Sequence, residues 1–371
     1  AKSTNTVTGA DFTYLVRAVN DEGNYSGSWL EIGAYGYGDL PNAVYDALSD
    51  YSVEEDNPGE GKDYVTAWIQ DSSALKTDLT IAGNNLILTS TTGVKGIQTS
   101  TYTLTVNNLA EMSGFDNAIT VNDIEGSSGT LILSNVVFKD NSGDAVIVSS
   151  GTVKLSSVTF SGNDAEADIA SDGILEFAEG PINLEKGVTG TGELIVTGSG
   201  IENGTISTIS QSTVTIDGVE FKNSGTIITN SISGGTLNNE GIFALDLQDD
   251  AGYGLETLYG NGTSSITATT DNVTVNLNGI QQGTINFYGE QGTELTLDGG
   301  ADGGTITANQ INNYVTGDSL HVINTRLDGE FANEQDGHAV FENGSSVSGS
   351  ISNYMGISRS EERFSRNAET D

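Results

Sequence analysis

The sequence predicts an all-β chain built as a solenoid, a parallel β-helix with coils of about 20–22 residues and a small helical N-terminal cap. Three observations predict it. A nine-residue phrase is written three times, as TLILSNVVF at 130–138, TVKLSSVTF at 152–160 and TVTIDGVEF at 213–221. The composition is that of short strands and tight turns, with 48 Gly, only 3 Pro, and Val, Ile and Leu in short runs among Ser, Thr and Asn. Positions also return at one spacing: Phe138 and Phe160, Asn141 and Asn163, Ala145 and Ala167, Ile147 and Ile169, and Gly151 and Gly173 are each 22 apart.

Within one phrase Thr stands first and apolar residues stand second, fourth, seventh and ninth. Leu131 and Leu133 alternate inward, a turn falls at Ser134–Asn135, and Val136 and Phe138 alternate again. KDNSGD is a turn cluster and AVIV, 145–148, a further short strand. Such a coil cannot bury its own apolar row. Stacked at the strand spacing of roughly 4.8 Å, it buries like on like. From Thr152 to Thr213 is 61 residues, near three periods of about 20. Gly-Thr pairs at Gly262, Gly283 and Gly304 carry a spacing of 21 onward. The pattern loosens between 164 and 212 and weakens after 305. Roughly 12–13 coils are expected, about 60 Å of stack. Asn141 and Asn163 follow the Phe at a turn. Stacked amides there would bond coil over coil, a structural use.

The expected divisions are a cap region at 1–76, the β-helix at 77–354 and a polar tail or junction at 355–371, with no linker splitting the chain. DFTYLVRAVND places Phe12, Leu15, Val16 and Val19 on one helical face, with Asp11 as N-cap. LPNAVYDAL follows with Pro41 at a helix start and Val44, Leu48 and Tyr51 on one face. Both Trp, Trp29 and Trp68, fall in this region, and a solenoid needs such a cover for its apolar end. SVEEDNPGEGKD, 52–63, reads as an exposed acidic loop. In the tail, Arg359, Arg363 and Arg366 are three of the chain's five Arg. Acids first and bases after suit a short helix there, and the tail lacks the alternating strands of a membrane barrel.

Charge bounds the partners. There are 51 acidic residues against 13 basic, a net charge of -38. Such a surface repels phosphate backbones and anionic headgroups, so neither nucleic acid nor an anionic lipid surface is expected as a partner. There is no cysteine, which rules out disulfides, thiolate metal sites and Cys nucleophiles. That usage suits a secreted bacterial chain crossing an oxidising compartment. No run of about 18 apolar residues exists to span a membrane as a helix. AKSTNTVTG at the start lacks a signal-peptide core, so export implies a signal already removed.

At FKDN, 138–141, and FSGN, 160–163, the sequence resembles the passengers of bacterial autotransporters, in the broad group that includes the chlamydial polymorphic outer membrane proteins, which repeat a Phe-x-x-Asn motif. GDAV, 143–146, hints at that group's Gly-Gly-Ala-Ile companion, and the openings DFTYLVRAVND, LTIAGNNLILTS and MSGFDNAITV resemble it too. The third Phe copy departs, continuing as FKNS. The resemblance covers 1–230 and, in style only, 231–350. It implies a right-handed β-helix, export, and surface display or release.

The nearest match to a pectin-degrading site is DGHA, 336–339, with Asp249 and Asp250. Such a site needs a basic residue downstream, and no Lys follows Lys222. A cleaving carboxylate pair cannot be picked from 51 acids by sequence. His321 and His338, the only histidines, stand 17 apart, a weak metal spacing. No G-x-S-x-G elbow, P-loop, dinucleotide fingerprint or Gly-Asp calcium repeat occurs, though DLQDDAG and DGGADGG are loops where a cation could sit. Thr arrays such as TYTLTV are too irregular for an ice-binding face. The expectation is therefore no enzyme, no cofactor, no catalytic or metal residue. The chain is expected to be an adhesin-like surface or secreted β-helix, outer membrane-associated, contacting a host or bacterial surface protein or glycan. The alternatives are a self-assembling subunit of an extracellular fibre or layer, and a carbohydrate-active enzyme.

Overall fold

The structure, a computed structural model, describes residues 12–19, 25–34, 64–68 and 73–353, the last without 76–77, 83–85, 91–94, 125, 271, 277–278, 290–291, 317–318 and 335–336. Two compact units divide the chain, Ala1–Thr229 and Asn230–Asp371. Each is a parallel β-solenoid, and together they make about 12 turns with almost no helix.

In the first unit the repeated phrase sets the register. Leu104, Leu131, Val153, Leu175, Leu194 and Val214 stack in one column across six rungs. Val106, Leu133, Leu155, Phe177, Val196 and Ile216 make the next inward column. Every one of these side chains is at most 1% exposed. Each contributes about 1.5–3 kcal/mol by leaving water, and only because the rungs above and below cover it. Thr152 and Thr213 are three rungs apart, through Ile174 and Glu193.

Between the two halves of each long strand the chain bends at one left-handed residue. Asn108 (φ 52°), Asn135 (φ 55°), Ser157 (φ 53°) and Gly180 (φ 67°) occupy that place on successive rungs. Asn tolerates positive φ better than most residues, and Asn135 Nδ2 also donates to Asn108 Oδ1 at 3.0 Å. Beyond the bend, Phe138 and Phe160 are in register. Their rings stack with centroids 5.1 Å apart and planes 8° from parallel. Phe221 is equally buried. It does not extend the ring stack, because the pairing of Lys222 with Glu202 sets it over Ile201.

Two expectations for the first unit need correction. Phe12–Val19 is not a helix but a strand, β1, antiparallel to β2, Tyr25–Ala34, and to β3, Tyr64–Trp68. Phe12, Thr13, Tyr14, Val16 and Val19 are aromatic or β-branched, and that preference for extended backbone overrides the helical spacing. β3 in turn pairs in parallel with Leu86–Thr89, so antiparallel strands lead into the parallel stack. The second expected helix (Pro41, Val44, Leu48, Tyr51), the loop at 52–63 and the tail at 355–371 lie outside the described residues. The second correction is local: Ile169 pairs with Val146, and Ile147 with Ala170. One extra residue between Asn163 and Asp168 shifts the register, since Asp168 precedes Ile169 as Ala145 precedes Val146, and the rung recovers by Gly173, since Thr152 pairs with Ile174.

In the second unit Phe243, Ser264, Ile285, Ile311 and Phe331 form one inward column. Leu258, Ile280, Ile306 and Leu327 form another. A separate four-strand ladder, Val273–Asn276, Leu295–Asp298, Leu320–Ile323 and Ala339–Glu342, closes the coil. Ser264 sits among apolar neighbours because its hydroxyl donates to Gln282 Oε1 at 2.9 Å. Asn239 Nδ2 donates to the same oxygen at 2.8 Å, which satisfies a buried corner. Of the Gly-Thr pairs, Gly283 N–H donates to Gly262 O, so those two stack. Gly304 instead pairs with Thr325, because the rung from Thr284 to Gln310 is longer.

Candidate functional site

The two histidines, 17 apart in sequence, fall on neighbouring rungs, His321 in register with Val340. Leu295, Leu320 and Ala339 are in register, so the residues before them, Glu294, Ser319 and His338, form the adjoining column. His338 Nδ1 lies 3.0 Å from Ser319 Oγ. His321 Nε2 lies 3.6 Å from Glu294 Oε2. Two pairs, Ser319 with His338 and Glu294 with His321, thus lie within three rungs of the second unit. The Ser–His distance is that of a nucleophile and its base. The rest of a hydrolytic site is missing among the described residues: no carboxylate holds the other nitrogen of His338, and Ser319 is only 7% exposed. No three His, Asp or Glu side chains among the described residues could hold a metal ion.

Of the acids in the loops singled out in the sequence, Asp249, Asp250 and Asp298 accept backbone N–H groups. Asp249 Oδ1 accepts from Ala251 N–H at 2.9 Å, and Asp250 Oδ1 from Thr274 N–H at 2.6 Å. Asp298 Oδ1 accepts from Gly300 N–H at 2.8 Å. Thr274 stacks below Thr296, which stacks below His321. Asp250 therefore stands about two rungs, roughly 10 Å, from His321. Asp336 lies outside the described residues. In the first unit Asp172 Oδ1 accepts both the N–H and the hydroxyl of Thr191, at 2.8 Å each, and these bonds hold its carboxyl below the usual range. Ser224 and Lys222 do the same for Glu202.

The asparagine ladder of the first unit is buried. Asn141 Nδ2 and backbone N–H donate to Asn163 Oδ1 at 2.9 and 3.2 Å. Asn141 Oδ1 accepts from Phe115 N–H at 3.1 Å. Asn163 Nδ2 donates to Asp168 Oδ1 at 3.3 Å, and Asp168 Oδ2 accepts from Lys186 and Gly187 N–H at 2.7 and 3.0 Å. Asp168, fully buried, is thereby the ladder's charged end. Burial, then the nearby Asp168 and Glu166, raises the carboxyl of half-buried Asp144. A second ladder was not anticipated: in the second unit Asn313 Nδ2 donates to Asn333 Oδ1 at 2.7 Å and Asn333 Nδ2 to Asn353 Oδ1 at 3.4 Å. Its spacing of 20 was present in the sequence, hidden where the apolar pattern thins.

Outward rows differ between the units. In the first, facing side chains pair rung to rung: Lys154 Nζ with Glu176 Oε1 at 2.8 Å, Thr197 Oγ1 with the same oxygen at 2.9 Å, and Asn183 Nδ2 with Thr159 Oγ1 at 3.1 Å. In the second, Tyr288 and Tyr314 stack at 4.9 Å, with Tyr288 37% exposed. Asn312 Nδ2 donates to Asn286 Oδ1 at 2.9 Å beside them. Burial, then Tyr288 and Glu334, raises the Tyr314 hydroxyl. On another face of this unit a notch of about 260 Å³ opens at Gly279, lined by Glu256, Tyr259, Gln281, Thr305 and Thr307 among others. No family model matches this chain, and neither the curated proteins nor the solved structures hold a match to it.

Proposed function

We propose that this chain is a secreted or surface-displayed β-solenoid, adhesin-like, that works by contact along its outward rows and turns no substrate over. The observation that supports this best is how its reactive groups are spent. His338 engages Ser319, His321 faces Glu294, and Asp168, Asp172, Asp249 and Asp250 accept backbone N–H groups. What stays turned outward is a periodic polar surface, one copy of each row every rung or so, suited to many weak contacts at once. Among the described residues no helix is long and apolar enough to cross a membrane. The Phe-x-x-Asn phrases and the absence of cysteine support export to the bacterial surface. The partner is a host or bacterial surface protein or glycan.

The test coats fluorescent beads with the 371-residue chain and counts them on epithelial and bacterial cell layers against albumin-coated beads. Enrichment on one cell type is the expected result. Beads indistinguishable from albumin on every layer sink the reading. Release of reducing ends from polygalacturonate or another polysaccharide would replace it with an enzyme. Growth of the particle with concentration in light scattering would replace it with a self-assembling subunit.

A further inference from the structure

We propose that the Gly279 notch of the second unit is a binding subsite for a neutral sugar, one hexose-sized ring at a time; this rests on the contact reading above and names its ligand class.

The notch follows from register. Leu258, Ile280 and Ile306 stack inward. The residues before them, Thr257, Gly279 and Thr305, and those after, Tyr259, Gln281 and Thr307, therefore make two outward columns of three rungs. At the centre of the first column there is no side chain. A Cβ built on Gly279 meets nothing within 4 Å. Thr257 and Thr305 bracket this gap from the rungs below and above, roughly 10 Å apart. The resulting volume of about 260 Å³ lies below that of drug-sized pockets, roughly 300–1,000 Å³, so it admits one small ring.

The lining is chemically mixed in the way a sugar is. A pyranose carries hydroxyls around its rim and C–H groups on its faces. Tyr259 supplies apolar ring area at one wall. The Gln281 amide both donates and accepts, the Thr305 and Thr307 hydroxyls do likewise, and the Glu256 carboxylate only accepts. None of these four polar side chains bonds to another described residue. That sets them apart from the paired outward rows of the first unit, where Glu176, Thr159 and Glu202 are already engaged. Four polar groups with no partner among the described residues and an aromatic ring thus converge on one concavity. No Lys or Arg lines it, Glu256 does, and the chain carries a net charge of -38. Uronates, sialates and phosphates are repelled, whereas a neutral ring meets no such barrier.

The experiment is saturation-transfer NMR on the full chain with methyl glycosides of glucose, galactose, mannose and N-acetylglucosamine, and methyl galacturonide as the anionic comparator. At least one neutral glycoside is expected to bind and the galacturonide is not. Thr305→Trp fills the notch from an exposed strand position, and Gln281→Ala removes its amide without adding bulk. Each is expected to weaken binding at least about tenfold with unchanged far-UV circular dichroism. Thr263→Ala, on another face, is expected to bind as the parent does. The proposal is overturned by the absence of transfer from every neutral glycoside, by tighter binding of the galacturonide, or by parental affinity in Gln281→Ala together with a folded Thr305→Trp. Adhesion of coated beads without glycoside binding overturns this proposal and leaves the contact reading standing. Glycoside binding at the notch without adhesion does the reverse.

Discussion

Asn163 is the link in the buried ladder whose chemistry can be inverted without changing its shape. Its Oδ1 accepts two bonds from Asn141, and its Nδ2 donates to Asp168 Oδ1 at 3.3 Å. Asn163→Asp keeps the acceptor and turns the donor into a second carboxylate oxygen facing Asp168. Two charges 3.3 Å apart repel by about 5 kcal/mol at an effective dielectric near 20. The engineered pair can avoid this by holding one proton between them. At pH 7 that costs about 1.4 kcal/mol for each unit above an ordinary carboxylate pKa near 4, or about 4 kcal/mol in all. The expected destabilisation at pH 7 is therefore about 3–4 kcal/mol. Its sign with pH is fixed. The folded pair binds a proton more readily than the unfolded chain, so the deficit is full above the pair's folded pKa and shrinks as pH falls toward about 4. Asn163→Ala is the control. It orphans the Asn141 N–H and costs about 2–4 kcal/mol, with a deficit that stays flat over the same range. Urea unfolding followed by far-UV circular dichroism from pH 4.5 to 8 measures both, and exchange of the Asn141 amide reports the site itself. If Asn163→Asp matches the parent at pH 7, or its deficit does not shrink with falling pH while that of Asn163→Ala stays constant, the ladder does not run as described.

Phe160 is 2% exposed and stacked on Phe138, so Phe160→Ala should cost about 3–5 kcal/mol in unfolding, while Thr159→Ala, on the outward side, should cost less than about 1. Equal losses would refute the inward register. Asn135, at φ 55°, should accept Gly within about 0.5 kcal/mol, whereas Ala should cost about 1–2 through the left-handed backbone, read by the same unfolding assay. Asp144→Asn should stabilise the protein at pH 7. The carboxyl is raised in the folded state, so its penalty is full above the folded pKa and fades as pH falls toward the ordinary value of 3.8, where parent and variant should converge. A variant less stable than the parent at pH 7 would count against this account of Asp144.

The rungs of the first unit were legible because each coil must fit the one beneath it, and that demand writes itself into the sequence at fixed spacing. Leu131, Val153 and Phe138 with Phe160 were found that way. The same reasoning slipped by one residue at Ile147 and Ile169. A spacing of 22 holds from Asn141 and Asn163 to Gly151 and Gly173, but one residue is added between Asn163 and Asp168 and one is dropped between Ser171 and Ile174. Counting periods sees the sum and misses the bulge. Gly304 misled for the opposite reason, matching the spacing of 21 without sharing the column of Gly262 and Gly283. At Phe12–Val19 a helical spacing and a strand-forming composition pointed different ways, and pairing with Tyr64–Trp68 decided between them.

Surface chemistry was far less legible, and the reason is physical. Inward columns are constrained by every neighbour, so their residue types repeat. Outward columns answer only to water and to whatever binds there. Acids illustrate the difference. Asp249 and Asp298 each accept from the backbone two residues on, but Asp172 and Asp250 accept from Thr191 and Thr274 on neighbouring rungs, a use that depends on three-dimensional neighbours and carries no local spacing. The Gly279 notch is harder still to read, because its defining feature is a side chain that is not there. Glycine at 279 is one of 48 in the chain, and nothing local distinguishes it. Only the register, which places Thr257 and Thr305 on either side and Tyr259 and Gln281 alongside, turns that glycine into a concavity. Rung-to-rung pairs such as Lys154 with Glu176 and Asn183 with Thr159 add rigidity to the rows that carry them. Glu256, Gln281, Thr305 and Thr307 form no such bond to another described residue and stand around a gap. Those polar groups converge on one concavity, which is why the notch, rather than the histidine pairs whose members are already engaged, is where contact chemistry is expected.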